Sequence, residues 1–461
     1  CNAICAQRNG NASDILDLAK AGHRPVIGFQ KNNAPKLEIG DIPAFRVGCL
    51  GRDQIEILNI RHGLQLVGND SIGLLLGTSS WSAVNSWSLT ALPLFIWMGE
   101  ILFRTRLSQD LFEGLSPLLS KLPGKLLHVN ILSCGIFAAV SGSSAATAAT
   151  IGRMTLPELS RRGYDNSMSI GTLAGSGTLG LLIPPSIILI VYGVSAEVSI
   201  ARLFLAGVLP GLVLILLFMA YTSGWSLLQK RSGVVADERE YSFKEKIQAL
   251  KKLLPIVMLI GCVLGSIYQG IATPTEAAAF GVAGALLLSA LLGSFTLSGF
   301  IDSVAGAVKN TCMLGLILVG AHFLTLAMGF IGIPNALAEW IAAQGLSPIE
   351  LIIYLTVFFV VLGCFLDGIS VIVLTTSVVL PMVAQANIDL LWFGIFLVLV
   401  VEMSQITPPV GFNLFVIQAL TGKNIVYVAK AALPFFFIIA TAIVLITVYP
   451  SIVLYLPTLM S

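Results

Sequence analysis

Residues 156–186 read LPELSRRGYDNSMSIGTLAGSGTLGLLIPPS, and residues 380–410 read LPMVAQANIDLLWFGIFLVLVVEMSQITPPV. Laid over one another at an offset of 224, Leu156-Pro157 falls on Leu380-Pro381, Asp165 on Asp389, and Pro184-Pro185 on Pro408-Pro409. Beyond these stretches, Leu209-Pro210 falls on Leu433-Pro434 in the same register. So many features in one register mark an internal duplication. A Pro-Pro pair inside an apolar helix removes main-chain donors and breaks it, and each copy is broken at the same place.

Working outward, each copy has an apolar arm, a small or polar tip, a second arm ending in Leu-Pro, a polar turn and the broken helix. The first tip is SGSSAATA (residues 141–148) and the second FLDGISV (residues 365–371). The arms run to about 14–18 residues, short against the roughly 17–25 needed for a full crossing, so each pair reads as a re-entrant hairpin. The first copy spans 71–228, with its hairpin at about 125–158 and broken helix at about 168–194. The second spans 253–461, with its hairpin at about 349–384 and broken helix at about 391–420. Between them QKRSGVVADEREYSFKEKIQALKK (residues 229–252) carries seven Lys/Arg against four Asp/Glu and reads as a solvated connector with an amphipathic helix. Arg153, Arg161 and Arg162 flank the turn after the first hairpin, whereas residues 382–389 hold no Lys or Arg. Positive charge marks the cytoplasmic side, so the hairpins open to opposite sides and the copies are inverted repeats.

Composition agrees with a membrane body. Of 461 residues 56% are hydrophobic and 11% charged, and the mean hydropathy is +0.90. Apolar runs at 203–228, 253–268, 311–330 and 431–456 are continuous rather than alternating, which selects helices over a β-barrel and gives an all-α polytopic protein. A net charge of +2 offers no basic surface for nucleic acid. The seven cysteines show no metal-ligand spacing, and neither HExxH nor GxSxG occurs, so no hydrolase template is met and no cofactor is implied. Gly175 to Gly180 match GxGxxG, but no strand precedes them, and the dinucleotide reading fails. Residues 1–70 stand apart, with 15 of the 50 charged residues and no apolar run long enough to cross a bilayer.

Unwound main chain inside lipid must find partners, and a cation or a substrate carboxylate can be one. Ser141, Ser143 and Ser144 supply hydroxyl oxygens at the first tip; close packing through small residues is the plainer reading. Asp367 supplies a carboxylate at the second, with Ser370 and Thr407 as neighbours for a cation; the plainer reading is a cap on the helix starting at Gly368. Glu402 is either a second buried acid or faces a water-filled cavity. Glu100 and His322 read as hydrogen-bonded packing residues, and Pro434-Phe435-Phe436-Phe437 as lipid-facing surface.

The carrying segments are SWSLTALPLFIWMGEILF (residues 86–103), VSGSSAATAATIGRMTLPELSRRGYD (140–165), LIPPSIILIVYG (182–193), FLAGVLPG (204–211), FLDGIS and SQITPPVGFNLFVI. With these, the chain from about Ile72 onward resembles the large membrane subunit of the tripartite ATP-independent periplasmic (TRAP) transporters, the DctM-like family. The resemblance implies an elevator-type, sodium-coupled importer of the bacterial inner membrane that uses no ATP. It implies a periplasmic substrate-binding protein and a small four-helix membrane subunit as partners, and C4-dicarboxylates or related organic acids as cargo. Another ion-coupled carrier of similar hairpin architecture, working without a binding protein, is the alternative. Carried over by position, cations would lie at Ser141, Ser143 and Ser144 with Gly177 and Thr178, and at Asp367 and Ser370 with Thr407 and Pro408. Substrate would lie between, on Ser144, Thr147, Pro184, Pro185, Gly368, Pro409 and Asn413. The family begins with a hydrophobic helix that residues 1–70 do not resemble, so that segment reads as a frameshift or mis-called start.

Overall fold

The computed structural model describes residues 77–78, 81, 85–229 and 241–459. Residues 1–70 lie outside these. Ser79–Thr325 and Pro334–Ser461 form one compact unit. A short 3-10 turn, Trp87–Thr90, leads into α1 (Ala91–Phe103), followed by α2 (Leu107–Leu119), α3 (Leu126–Ser141), α4 (Ser144–Arg161), α5 (Asn166–Thr178), α6 (Ile187–Ser195) and α7 (Ile200–Gln229). The second half holds α8 (Phe243–Tyr268), α9 (Pro274–Leu291), α10 (Leu297–Ile331), α11 (Ile333–Ala343), α12 (Pro348–Gly363), α13 (Gly368–Gln385), α14 (Leu390–Gln405), α15 (Phe412–Thr421), α16 (Ile425–Val448) and α17 (Ser451–Thr458).

The duplication is carried into the helices. α4 and α13 begin and end at residues 224 apart, and α5 and α14 begin 224 apart. Their caps correspond too. Ser143 accepts from the Ala146 amide (3.4 Å), and its counterpart Asp367 accepts from the Ser370 amide (3.2 Å). Asp165 accepts from Met168 (2.7 Å), and its counterpart Asp389 accepts from Trp392 (2.9 Å). A short polar side chain three residues ahead of a bare amide satisfies one of the four orphan donors at a helix start.

Packing between the halves is reciprocal. α4 lies on α15, and its counterpart α13 lies on α6; α5 lies on α16, and its counterpart α14 lies on α7. Such exchange of equivalent contacts is the signature of a local two-fold axis. Each hairpin's second arm thus seals the far segment of the other half's broken helix.

Among the described residues six helices are long and apolar enough to cross a membrane: Ile200–Leu228, Phe243–Tyr268, Pro274–Leu291, Leu297–Gly329, Gly368–Gln385 and Ile425–Val448. α3 and α12, at 16 residues each, are only about 24 Å long against a hydrocarbon core of about 30 Å, which suits arms that turn back.

Several expectations are corrected. Pro157 and Pro381 do not end the hairpin arms; they sit inside α4 and α13, which run on to Arg161 and Gln385. A helix-interior proline costs one hydrogen bond and a kink, and packing on both sides carries the helix past it. The connector is shorter than 229–252, because a capping box of Ser242 and Glu245 starts α8 at Phe243. Residues 230–240 lie outside the described residues. Lys252, one turn from the apolar part of α8, pairs with Glu113 of α2 and holds that carboxyl below the usual range. The run 431–456 is not one crossing either, since α16 ends at Val448 and α17 turns back onto α7.

Phe435 is core rather than lipid-facing surface. It is 1% exposed, with ring centroids 5.4 Å from Phe218 and 5.5 Å from Tyr221. The room comes from α5, where a Cβ on Gly175 would stand 2.6 Å from the Phe435 ring and one on Gly171 only 2.4 Å from the Ala431 carbonyl oxygen. Phe437 is exposed, as the sequence led us to expect. Glu100 is a packing residue, accepting from Asn310 (3.2 Å) and pairing with Arg104 (3.3 Å).

The first hairpin is fixed to α5 by a polar knot. Asn130 of α3 donates to the Thr172 hydroxyl (3.0 Å) and accepts from Thr155 of α4 (2.9 Å), and all three are buried. Two predictions follow from these contacts. Asn130→Ala removes the link between α3, α4 and α5 while each threonine keeps a carbonyl of its own helix (Ile151 for Thr155, 2.9 Å; Ser169 for Thr172, 3.0 Å), and should cost about 0.5–1.5 kcal/mol; Gly171→Ala overpacks α5 on α16 main chain and should cost about 1–3 kcal/mol. Thermal unfolding of the purified protein in detergent should show a lowered midpoint for each, and wild-type midpoints would contradict the packing described.

Candidate functional site

At the first tip, α3 stops at Gly142, whose φ of +58° is open to glycine at little cost. The chain then reverses and α4 starts one residue later. Ser141, Ser143 and Thr147 close a ring of hydrogen bonds there. The Thr147 and Ser141 hydroxyls both reach the Ser143 carbonyl (2.8 and 3.3 Å) and share a hydrogen bond with each other (2.7 Å), and Ser141 also accepts from the Ser143 amide (3.4 Å). Those hydroxyls hold the tip in shape. Ser144, 5% exposed, makes no such bond and keeps its hydroxyl free for a ligand.

The first break follows α5. Residues 179–186 unwind, with Pro184-Pro185 buried at the end, and Ser186 caps α6 while donating to the Leu181 carbonyl. The tip lies directly on this break. A Cβ on Gly180 would fall 2.6 Å from the Ser143 main chain, one on Gly177 2.9 Å from Ala148, and one on Gly142 3.2 Å from the Pro185 carbonyl oxygen. Ser141, Ser143, Ser144, Gly177, Pro184 and Pro185 are therefore brought together, with Thr178 at the end of α5 beside them.

The second tip reaches the same break from the other half. A Cβ on Gly368 would stand 2.8 Å from Val401, 3.0 Å from Ile188 and 3.5 Å from Leu181. Ser143 and Asp367 thus begin hairpin arms that abut one unwound segment. Asp367 is half-buried and caps α13, accepting from the Ile369 and Ser370 amides at 3.2 Å and from the Ser370 hydroxyl. These bonds are the cap that the plainer reading of Asp367 gave, and Ser370 belongs to it.

Thr407 makes no direct hydrogen bond to either of them. The Thr407 hydroxyl donates to Met403 of its own helix (2.7 Å), and Pro408 and Pro409 are exposed. The second break is shorter and faces outward because Gly411 closes it at φ +25° and α15 starts at once. Pro409 is exposed where Ser144, Pro185 and Gly368 are buried, and the Thr147 hydroxyl is engaged in the tip ring.

Three buried polar side chains near the breaks have no hydrogen-bond partner within the protein: both oxygens of Glu402, Nε2 of Gln405, and both polar atoms of Asn413. Glu402 resolves as a buried acid, 0% exposed. Asn413 was expected from its place after the break; Gln405 was not, though it follows Glu402 by one helical turn. A separate cavity of about 720 Å³ lies between α1–α2 and α4, lined among others by Arg106, Arg153, Arg162 and Thr150. The sequence put these arginines at a membrane edge but gave no sign that α2 folds back to meet two of them. Among the described residues no group of three His, Cys, Asp or Glu could hold a metal together.

The family model described as "Tripartite ATP-independent periplasmic transporter, DctM component" matches residues 57–452. It takes in residues 57–70, which the composition had set apart. The chain is 32% identical over 376 residues to the C4-dicarboxylate TRAP transporter large permease protein DctM of Pseudomonas aeruginosa, covering 80% of this chain and 86% of the relative. It is 32% identical over 374 residues to the isethionate TRAP transporter permease protein DctMQ of Oleidesulfovibrio alaskensis, covering 81% of this chain and 58% of that relative. Among solved structures, the YdaH transporter of Alcanivorax borkumensis shares the fold, with a TM-score of 0.54 at 13% identity over 86% of this chain and 88% of that one. Duplicated hairpins, broken helices and membrane-length spans thus meet a family match over most of the chain, which belongs to the DctM component of the tripartite ATP-independent periplasmic transporters: it is a multi-pass membrane permease and not an enzyme.

Proposed function

We propose that this chain is the large membrane subunit of a sodium-coupled, binding-protein-dependent importer of small organic acids in the bacterial inner membrane. The observation that carries the reading is the meeting of both hairpin tips on one buried, unwound segment, residues 179–186. Helix ends and released carbonyls at mid-depth suit a small cation beside an organic anion. Ser144 with its free hydroxyl, Thr178 and the main chain of the first break fit one sodium ion; Asp367 with Ser370 fits a second. The cargo would sit between Ser144, Pro185 and Gly368.

The relatives' printed cargoes, C4-dicarboxylates and isethionate, are both small organic anions, and the family name speaks of three components and independence from ATP. A small membrane subunit and a periplasmic binding protein are the partners this implies. The two hairpins and broken helices, interlocked across the halves, would travel as one body against the remaining helices.

The test is uptake of a labelled C4-dicarboxylate into proteoliposomes with binding protein and small subunit present. Uptake should require an inward sodium gradient and vanish when potassium replaces sodium; flux indifferent to the gradient would sink the reading. Asp367→Asn keeps an N-cap oxygen but removes the charge. It should leave the unfolding midpoint close to wild type while raising the sodium concentration for half-maximal uptake by about tenfold or more, on the order of 1.4 kcal/mol. If Asp367 only caps α13, Asp367→Asn will transport like wild type.

A further inference from the structure

Thr178 and Glu402 occupy equivalent positions in the two repeats, 224 residues apart, on the packed helices α5 and α14. They also approach one another, as the Thr178 side chain and the Leu182 main chain come up to the Glu402 carboxylate without completing a hydrogen bond to it. Two equivalent residues that meet must do so on the local two-fold axis. The axis therefore passes between Thr178 and Glu402, at the ends of the first segments of both broken helices.

A buried carboxylate with both oxygens unmatched is an expensive group in either protonation state. Ionised, it needs a counter-charge, and among the described residues no Lys, Arg or His pairs with it. Neutral, it would have only the Thr178 hydroxyl in reach as an acceptor for its O–H, and its second oxygen would stay unmatched. A small hard cation answers both needs at once, since it neutralises the charge and accepts oxygen ligands from several directions. The Thr178 hydroxyl donates to the Gly175 carbonyl (2.8 Å), which leaves its lone pairs free to face such an ion. The unwound residues after Thr178 offer carbonyl oxygens alongside.

We propose that Glu402 is the anionic ligand of a sodium site on the two-fold axis, shared with the Thr178 hydroxyl and the unwound main chain of the first break. This rests on the sodium-coupled reading and adds to it a ligand from the opposite repeat. It explains how a group of otherwise neutral ligands around Ser144 and Thr178 would bind a cation deep in the fold. It also couples the halves, because the ion bridges helices belonging to each.

The experiment needs no transported substrate. The full chain in detergent is titrated with sodium chloride against a choline chloride control, reading the unfolding midpoint and the bound ²²Na⁺ per chain. Wild type should show a saturable sodium-dependent rise. Glu402→Gln should bind one sodium fewer and lose most of that rise, and Thr178→Val should raise the half-saturating sodium concentration at least about fivefold, with Thr178→Ser restoring it. If Glu402→Gln does not fold, Glu402→Asp takes its place: it keeps the charge but withdraws it by one methylene, and should raise the half-saturating sodium concentration at least about fivefold, an unchanged value overturning the Glu402 site. Unchanged stoichiometry and half-saturation in the folded variants overturn the Glu402 site and leave sodium coupling standing. A wild type that ignores sodium overturns both.

Discussion

Eight residues of main chain, 179–186, run through the middle of this fold with the regular α-helical ladder given up for tight turns, and they are almost wholly buried. Where lipid replaces water, each bare amide or carbonyl must be matched inside the protein. The surroundings are arranged around that demand. Ser186 turns its hydroxyl back to Leu181, successive amides from Leu179 to Ile183 make short backward bonds, and the serine-rich tip of the first hairpin presses on Gly180 with main chain against main chain. Glycine at 177 and 180 lets these backbones approach, since a Cβ at either would collide. The tip in turn is stiffened by its own Ser141–Thr147–Ser143 ring, so its hydroxyls work chiefly on the loop rather than on a neighbour.

That arrangement explains why the halves cannot be separated. The far segment of each broken helix would be exposed on one flank if it relied on its own repeat. The second arm of the opposite hairpin covers it instead. Duplication thus supplies two incomplete units that complete each other, and any ligand between the breaks touches both. Small residues on α5 do for the helices what they do at the tip: Gly171 and Gly175 admit α16 until Phe435 fills the groove. In lipid, where apolar surfaces gain little by leaving their solvent, such close approach is the main source of helix association.

Much of this was legible in the residues, because prolines and caps act locally. Pro184-Pro185 and Pro408-Pro409 break helices wherever the chain goes, and Asp165 and Asp389 announce helix starts in both copies. What the sequence could not show was which surfaces meet. Phe435 reads as lipid-facing in a run of phenylalanines; only the glycines of a helix over 250 residues earlier make it core. Asn130 is one polar letter in an apolar arm until Thr155 and Thr172 converge on it. Thr178 and Glu402 are linked by the repeat offset, yet every pair at that offset looks alike on paper, and the pair on the axis is picked out only by its contact.

The two copies share geometry but not chemistry, and the difference has a direction. Position for position, the hydroxyl of Ser143 becomes the carboxylate of Asp367, and the buried prolines of the first break become the exposed prolines of the second. Both caps are half-buried, so it is their charge and not their exposure that sets the two tips apart. At the axis the same bias holds: the first copy gives the neutral Thr178 and the second the acid Glu402, here fully enclosed. The second repeat therefore carries both acids of the central region, one near the opening and one at the centre.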